Sequence, residues 1–192
     1  MSRKFGTRRQ NAPSITLIGE GITEQYYFKH IRSFFNFRFT LKPYFFGTTS
    51  LIDIDRKISE VIEGGGLAIC VFDTDVTLRN DPERKKLQML HRKYDKKKNV
   101  MFCDSMPSIE YWFLLHFQLT NRYFNDAKAV ERELRAFVPN FKKTTGFLEK
   151  EKWVEDLCSD GKLEIALQRA KVFDETGASY SNIYKAFECF RK

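Results

Sequence analysis

Ile15-Thr-Leu-Ile-Gly-Glu-Gly-Ile-Thr-Glu24 and Leu67-Ala-Ile-Cys-Val-Phe-Asp-Thr-Asp75 decide how this chain folds, because each is an almost unbroken apolar run that ends in acid. An alternating run marks a strand with one wet face. An unbroken one marks a strand covered on both faces, as in a parallel sheet with crossover helices above and below it. Sheets of that kind take their ligands at the carboxyl ends of the strands, which is where Glu20, Glu24, Asp73 and Asp75 stand. Carboxylates brought together raise one another's pKa unless a cation neutralises them, and an all-oxygen donor set selects a hard divalent ion. The pattern therefore points to metal-assisted phosphate chemistry.

Outward from these two stretches the chain alternates. A helix is predicted over 22–34, with Tyr26, Tyr27, His30, Ile31 and Phe34 at helical spacing, and a second strand over about 37–46. Ile54, Ile58, Val61 and Ile62 form one stripe of a helix over 51–63, which Gly64-Gly-Gly66 stops before the Leu67 strand. After Asp75 a strongly basic helix is predicted over 82–98, with Leu87, Leu90 and Tyr94 turned inward, and a short fourth strand over 100–103. Strand-helix alternation predicts the α/β class: a parallel sheet of about four strands joined by right-handed crossovers. From Pro107 onward strand signals vanish. Helices are predicted over 108–117 and near 126–138, 150–158, 161–174 and 180–190. The expected organisation is a basic disordered arm over 1–13, an α/β core over 14–106 and a helical part over 107–192 packed on that core, in one domain.

With 192 residues, 42% of them hydrophobic and 15% aromatic, the chain can bury one substantial core, which excludes a disordered protein. Its formal net charge of +8 favours an anionic partner. Arg84, Lys85, Lys86, Arg92, Lys93, Lys96, Lys97 and Lys98 follow the aspartate pair directly and are the candidate nucleic-acid contacts. The alternative for that run is a solvated helix face. Cys70, Cys103, Cys158 and Cys189 are widely spaced with no metal-binding pattern, so buried thiols in a reducing cytoplasm are expected. The basic amino terminus has no apolar stretch after it and no run reaches membrane-spanning length, so no membrane association is expected.

The acids differ in what they imply. Asp73 and Asp75 are two apart, so an extended backbone turns both to one side, where they can reach one cation. Glu20 lies between Gly19 and Gly21, which permit close approach of a ligand, and suits metal ligation or proton transfer. Glu24 and Glu110 fall in first turns of predicted helices, where a carboxylate is favourable with or without chemistry. Asp104, at the end of the fourth strand, is a secondary candidate. Gly19-Glu-Gly-Ile-Thr-Glu24 is not a dinucleotide fingerprint, since its acids would repel a pyrophosphate, and neither a Walker A sequence nor a Gly-x-Ser-x-Gly elbow is present. His116, in Leu114-Leu-His-Phe117, suits a core histidine better than a ligand.

Ile18-Gly-Glu-Gly-Ile-Thr-Glu-Gln-Tyr-Tyr-Phe28, Val71-Phe-Asp-Thr-Asp75 and Pro107-Ser-Ile-Glu-Tyr-Trp-Phe-Leu-Leu-His-Phe117 together resemble the RloB (AbiL-type) abortive-infection family. The resemblance spans roughly the first 117 residues and implies a Toprim-like fold similar to the nuclease domain of OLD-type enzymes. It implies Asp73 and Asp75 as metal ligands, Glu20 as ligand or general acid/base, and Glu24 in a second metal site, with one or two Mg²⁺ or Mn²⁺ ions. Glu110 matches the family's Phe-Glu-x-Trp-Leu-Leu-Leu-His-Phe segment, although Ile109 replaces the usual aromatic and Phe113 one leucine. The implied activity is metal-dependent hydrolysis of DNA or RNA in antiviral defence. A separately encoded ATPase partner is implied too, because the chain lacks the ATPase fused to OLD enzymes. Two alternatives compete: a non-catalytic Toprim module that binds nucleic acid or its ATPase partner, and a haloacid-dehalogenase-like phosphatase, whose nucleophile motif Val71-Phe-Asp-Thr-Asp-Val-Thr-Leu78 resembles.

Overall fold

β1 (Ile15–Gly19), α1 (Ile22–Phe35), β2 (Thr40–Lys42), α2 (Leu51–Glu63), β3 (Leu67–Val71), α3 (Asp81–Tyr94) and β4 (Val100–Phe102) follow one another in a computed structural model that describes residues 13–19, 21–42, 50–74, 81–173 and 178–191. The strands form one parallel sheet in the order β2-β1-β3-β4. The two apolar strands are thus neighbours at its centre, paired from Ile15 against Leu67 to Gly19 against Val71. Their unbroken apolar character has the expected cause, since both faces are covered.

Successive strand residues point to opposite faces, and two cores result. Leu17, Ile69 and Val71 pack with α1 and the C-terminal helices. Ile18, Ala68, Cys70 and Phe72 pack with Ile54 and Ile58 of α2 and with Leu87, Leu90 and Tyr94 of α3. Ser50 caps α2 by accepting the N–H of Asp53, and the chain leaves that helix through Gly65 at φ +75°, a conformation only glycine adopts at low cost.

Beyond β4 come β5 (Ser105–Met106), α4 (Ile109–Leu115), α5 (Ala127–Leu134), α6 (Thr145–Leu148), α7 (Lys152–Cys158), α8 (Lys162–Ala170), β6 (Tyr180–Ser181) and α9 (Ile183–Phe190). Every residue of α4 is buried, as a helix apolar on all sides must be. Its Trp112 donates Nε1–H to Tyr27 Oη of α1 at 2.8 Å, satisfying two polar atoms inside the aromatic core. His116 is a core histidine as expected, with Nδ1 3.0 Å from the Trp112 carbonyl and the ring edge-on to the indole. His30 bonds the Leu148 carbonyl through Nε2 at 2.9 Å and ties α1 to α6. Cys70, Cys103 and Cys189 are buried free thiols, and Cys158 is half-buried.

Three expectations change. Strand signals do not vanish after Pro107, because β6 pairs antiparallel with β5. Strands of two residues are too short to carry a periodicity. Asp104 explains the pair: its carboxylate accepts Tyr180 Oη–H at 2.7 Å and Asn182 Nδ2–H at 2.9 Å, while its carbonyl takes the Asn182 N–H at 2.8 Å. Asp104 therefore anchors this pair of strands. The basic helix ends at Tyr94, where the chain must turn into β4, and Lys96, Lys97 and Lys98 lie in that turn, closed by Lys97 N–H to the Tyr94 carbonyl at 2.9 Å. The second strand is described only over Thr40–Lys42. Phe37 and Phe39 instead pack on Phe190, with the Phe39 and Phe190 rings stacked 4.3 Å apart. The arm expected over 1–13 lies outside the described residues apart from Pro13.

Candidate functional site

Asp73 stands two residues past the end of β3, still paired in parallel with Ser105. It continues the parity of Ile69 and Val71, so it projects on the face shared with α1 and α4. Its Oδ1 accepts the Ile109 N–H at 2.8 Å, which joins the strand end to the start of α4. The next backbone N–H, of Thr74, donates to the carbonyls of Ser105 and Pro107 at 3.0 and 3.2 Å and clamps the same junction.

The helix start docked there carries Glu110, which is 0% exposed. Its Oε2 accepts Ser108 Oγ–H at 2.7 Å and meets the Lys143 ammonium at 2.9 Å, while Oε1, also buried, has no hydrogen-bond partner among the described residues. Burial holds the Glu110 carboxyl above the ordinary carboxylate range even though Lys143 and Ser108 pull it down. Lys143 comes from the segment between α5 and α6, with a side chain 33% exposed, and also lies 3.6 Å from Glu131. Burial lowers the Lys143 pKa, but Glu110, Asp73 and Glu24 together hold it above its ordinary value.

Glu24, in the first turn of α1, is 4% exposed and folds back over the Gly-Glu-Gly turn. A Cβ on Gly21 would lie 2.9 Å from Glu24 Oε2, and one on Gly19 would lie 3.1 Å from Glu24 Cβ. The two glycines thus form a cradle that a side chain would fill. In sequence they allow a ligand to approach, whereas in the fold the atom they make room for belongs to Glu24.

Glu110 thus pairs with Lys143 beside the carboxyl end of the two central strands, where Asp73 and Glu24 also act electrostatically on that ammonium. Glu20 and Asp75, the other two predicted ligands, lie outside the described residues. Among the described residues no three His, Cys, Asp or Glu side chains are grouped to hold a metal. The donor set fits a hard cation in kind nonetheless. It consists of carboxylates, one of them with a buried oxygen that has no hydrogen-bond partner among the described residues, and a cradle that keeps Glu24 turned inward. Lys143 escaped the sequence reading. A fully buried Glu110 requires a cationic partner, but nothing in the spacing says which of the 33 lysines and arginines supplies it.

The basic run sits elsewhere. α3 packs with α2 on the sheet face opposite α1 and α4. Arg84 pairs with Asp81, Lys86 with Glu83 and Lys93 with Asp55, so the helix neutralises part of its own charge. Lys85 and Arg92 are exposed and make no ion pair among the described residues, and Lys96, Lys97 and Lys98 are exposed in the turn after the helix.

Fold and site together define an α/β protein that assembles carboxylates and one lysine where a parallel sheet presents its strand ends. The chain belongs to the family described as RloB-like protein, whose family model matches residues 15–188. The match takes in Glu24, Asp73, Glu110 and Lys143 alike and carries the membership across the helical part, which the opening motifs do not reach. Comparison with curated proteins and with solved structures returns no match. Among the described residues no helix is long and apolar enough to cross a membrane.

Proposed function

We propose that this chain is a Mg²⁺- or Mn²⁺-dependent nuclease that hydrolyses phosphodiester bonds of DNA or RNA as the effector of an antiviral abortive-infection system. The observation that supports it most is the meeting of Asp73, at the end of β3, with the α4 start that carries the buried Glu110–Lys143 pair, since a scissile phosphate needs both anionic groups to hold a cation and a cation of the protein to meet its own charge. Asp73 and Glu24, with Glu20 and Asp75 beside them in sequence, would hold the metal, which supplies Lewis-acid polarisation of the phosphate and a lowered water pKa.

The chain's own residues do the rest. The Ile109 N–H fixes Asp73 Oδ1 and so holds its carboxylate at the junction of the strand end with α4. Glu110, buried and bonded to Ser108, orients the Lys143 ammonium, which would present positive charge to a non-bridging phosphate oxygen. Glu20 is the proposed group for accepting or returning a proton. Exposed Lys96, Lys97 and Lys98, in the turn after α3, would contribute to holding the polyanion. Resemblance to OLD-type enzymes supports a separately encoded ATPase partner. The phosphatase alternative is less well supported, because its nucleophile motif belongs on a first strand, and here the motif follows β3.

The test is incubation of the purified chain with plasmid DNA and with total RNA in Mg²⁺, Mn²⁺ and EDTA, beside Asp73→Asn and Glu20→Gln. Metal-dependent cleavage lost in both variants, and a metal-induced rise in melting temperature lost in Asp73→Asn, support the nuclease. Binding without cleavage, with the ATPase added, would favour the non-catalytic module.

A further inference from the structure

On the sheet face remote from the acidic site, α2 and α3 leave an open groove of about 320 Å³. Leu51, Ile52, Met89 and Leu90 supply its apolar lining, and two of them are far more exposed than such side chains need be, Ile52 at 73% and Met89 at 68%. At helical spacing the neighbours of Met89 are the residues three and four positions away on either side. They are Lys85, Lys86, Arg92 and Lys93, so every neighbour of Met89 at that spacing on α3 is a cation, and of these Lys86 and Lys93 pair with Glu83 and Asp55. Asp55 also lines the groove, but both its carboxylate oxygens lie 2.7 Å from Lys93 Nζ, and Tyr94 Oη donates to it at 2.6 Å.

We infer that this groove is a docking site for an amphipathic helix of a partner protein, one whose apolar stripe is flanked by aspartate and glutamate. The apolar lining meets anchors at i, i+3, i+4 and i+7, and the flexible thioether of Met89 adapts to their shape. Lys85 and Arg92, with no ion pair among the described residues, complement acids on the rims of the incoming helix. Lys85 and Arg92 beside Met89 disfavour a second copy of this surface on itself. Single-stranded nucleic acid fits less well, because bases stack on aromatic rings and the groove lining is aliphatic. The inference stands apart from the proposed nuclease activity, since no residue of the acidic site lines this groove.

A phage-displayed library of short helical peptides, selected on the full chain and counter-selected on the double variant Ile52→Ser, Met89→Ser, tests it. Enrichment of peptides with an apolar stripe and an excess of Asp and Glu is expected. The best of them, labelled for fluorescence anisotropy, should bind the double variant about tenfold or more weakly. It should also bind Lys85→Glu, Arg92→Glu more weakly, with unchanged melting curves for every variant. No enrichment, or enrichment without acidic excess, overturns the inference. So does a single-stranded oligonucleotide whose binding, and not the peptide's, falls in the serine variant. Sedimentation showing a dimer of the native chain that the serine variant abolishes would assign the groove to a second copy and overturn it equally.

Discussion

Glu110 and Lys143 show how one contact carries both stability and the proposed chemistry. The carboxylate is fully buried, so removing its cation leaves an uncompensated charge in the core. Lys143→Met should therefore cost on the order of 3 kcal/mol in urea unfolding, and Glu110→Gln in the same chain should recover most of it. A single variant no less stable than the native chain would mean that Glu110 is neutral or solvated there. Gly21 offers the converse case. Its φ of −135° suits any residue, so Gly21→Ala should change stability by less than about 1 kcal/mol, whereas the added Cβ, 2.9 Å from Glu24 Oε2, displaces that carboxylate. Calorimetry should find Mn²⁺ bound about tenfold more weakly. Unaltered Mn²⁺ affinity would remove Glu24 from the metal-holding group.

Between elements the decisive contacts are short and polar. β5 and β6 have two residues each, too few to hold each other by ladder hydrogen bonds, and Asp104 gathers Tyr180 and Asn182 to fasten them. Asp104→Ala should cost about 2–4 kcal/mol, because it leaves a buried Asn182 amide unsatisfied. Hydrogen exchange should then speed up across 180–190 and remain unchanged in the central strands. Acceleration spread evenly over the sheet would show Asp104 to be part of the global core instead. α3 behaves differently. Its inward stripe of Leu87, Leu90 and Tyr94 seals the second core, while Arg84, Lys86 and Lys93 pair with nearby acids and the last two of these also line the Met89 groove.

Stability of the whole molecule against pH turns on a histidine in the middle of the larger core. Burial pushes the His116 pKa down to about 3, while the unfolded chain titrates near 6.5. Below about pH 6.5 the unfolded chain takes up a proton that the folded chain refuses. Stability from this group is therefore complete above 6.5 and is lost as pH falls towards 3, at up to about 1.4 kcal/mol per pH unit. Between pH 7 and 5 the native chain should lose about 2 kcal/mol more than His116→Gln does, measured by urea unfolding at each pH. Equal losses in the two chains would show that the folded chain protonates His116 as readily as the unfolded one.

Local chemistry was enough to announce the two central strands, the acids at their ends and the helix faces, because burial on two faces leaves an unbroken apolar run and each crossover helix writes its stripe in a few adjacent turns. The central pairing of β1 with β3 was legible only as a possibility, and the parallel sheet confirmed it. What the chain could not disclose lies in contacts between distant residues. The partner of Glu110 is Lys143, the purpose of Gly19 and Gly21 is to seat Glu24, and the role of Asp104 depends on residues more than seventy positions away. No periodicity records such pairs. A buried charge or a two-residue strand is specified by its complement, and only tertiary packing chooses which of many equivalent lysines, tyrosines or asparagines supplies it.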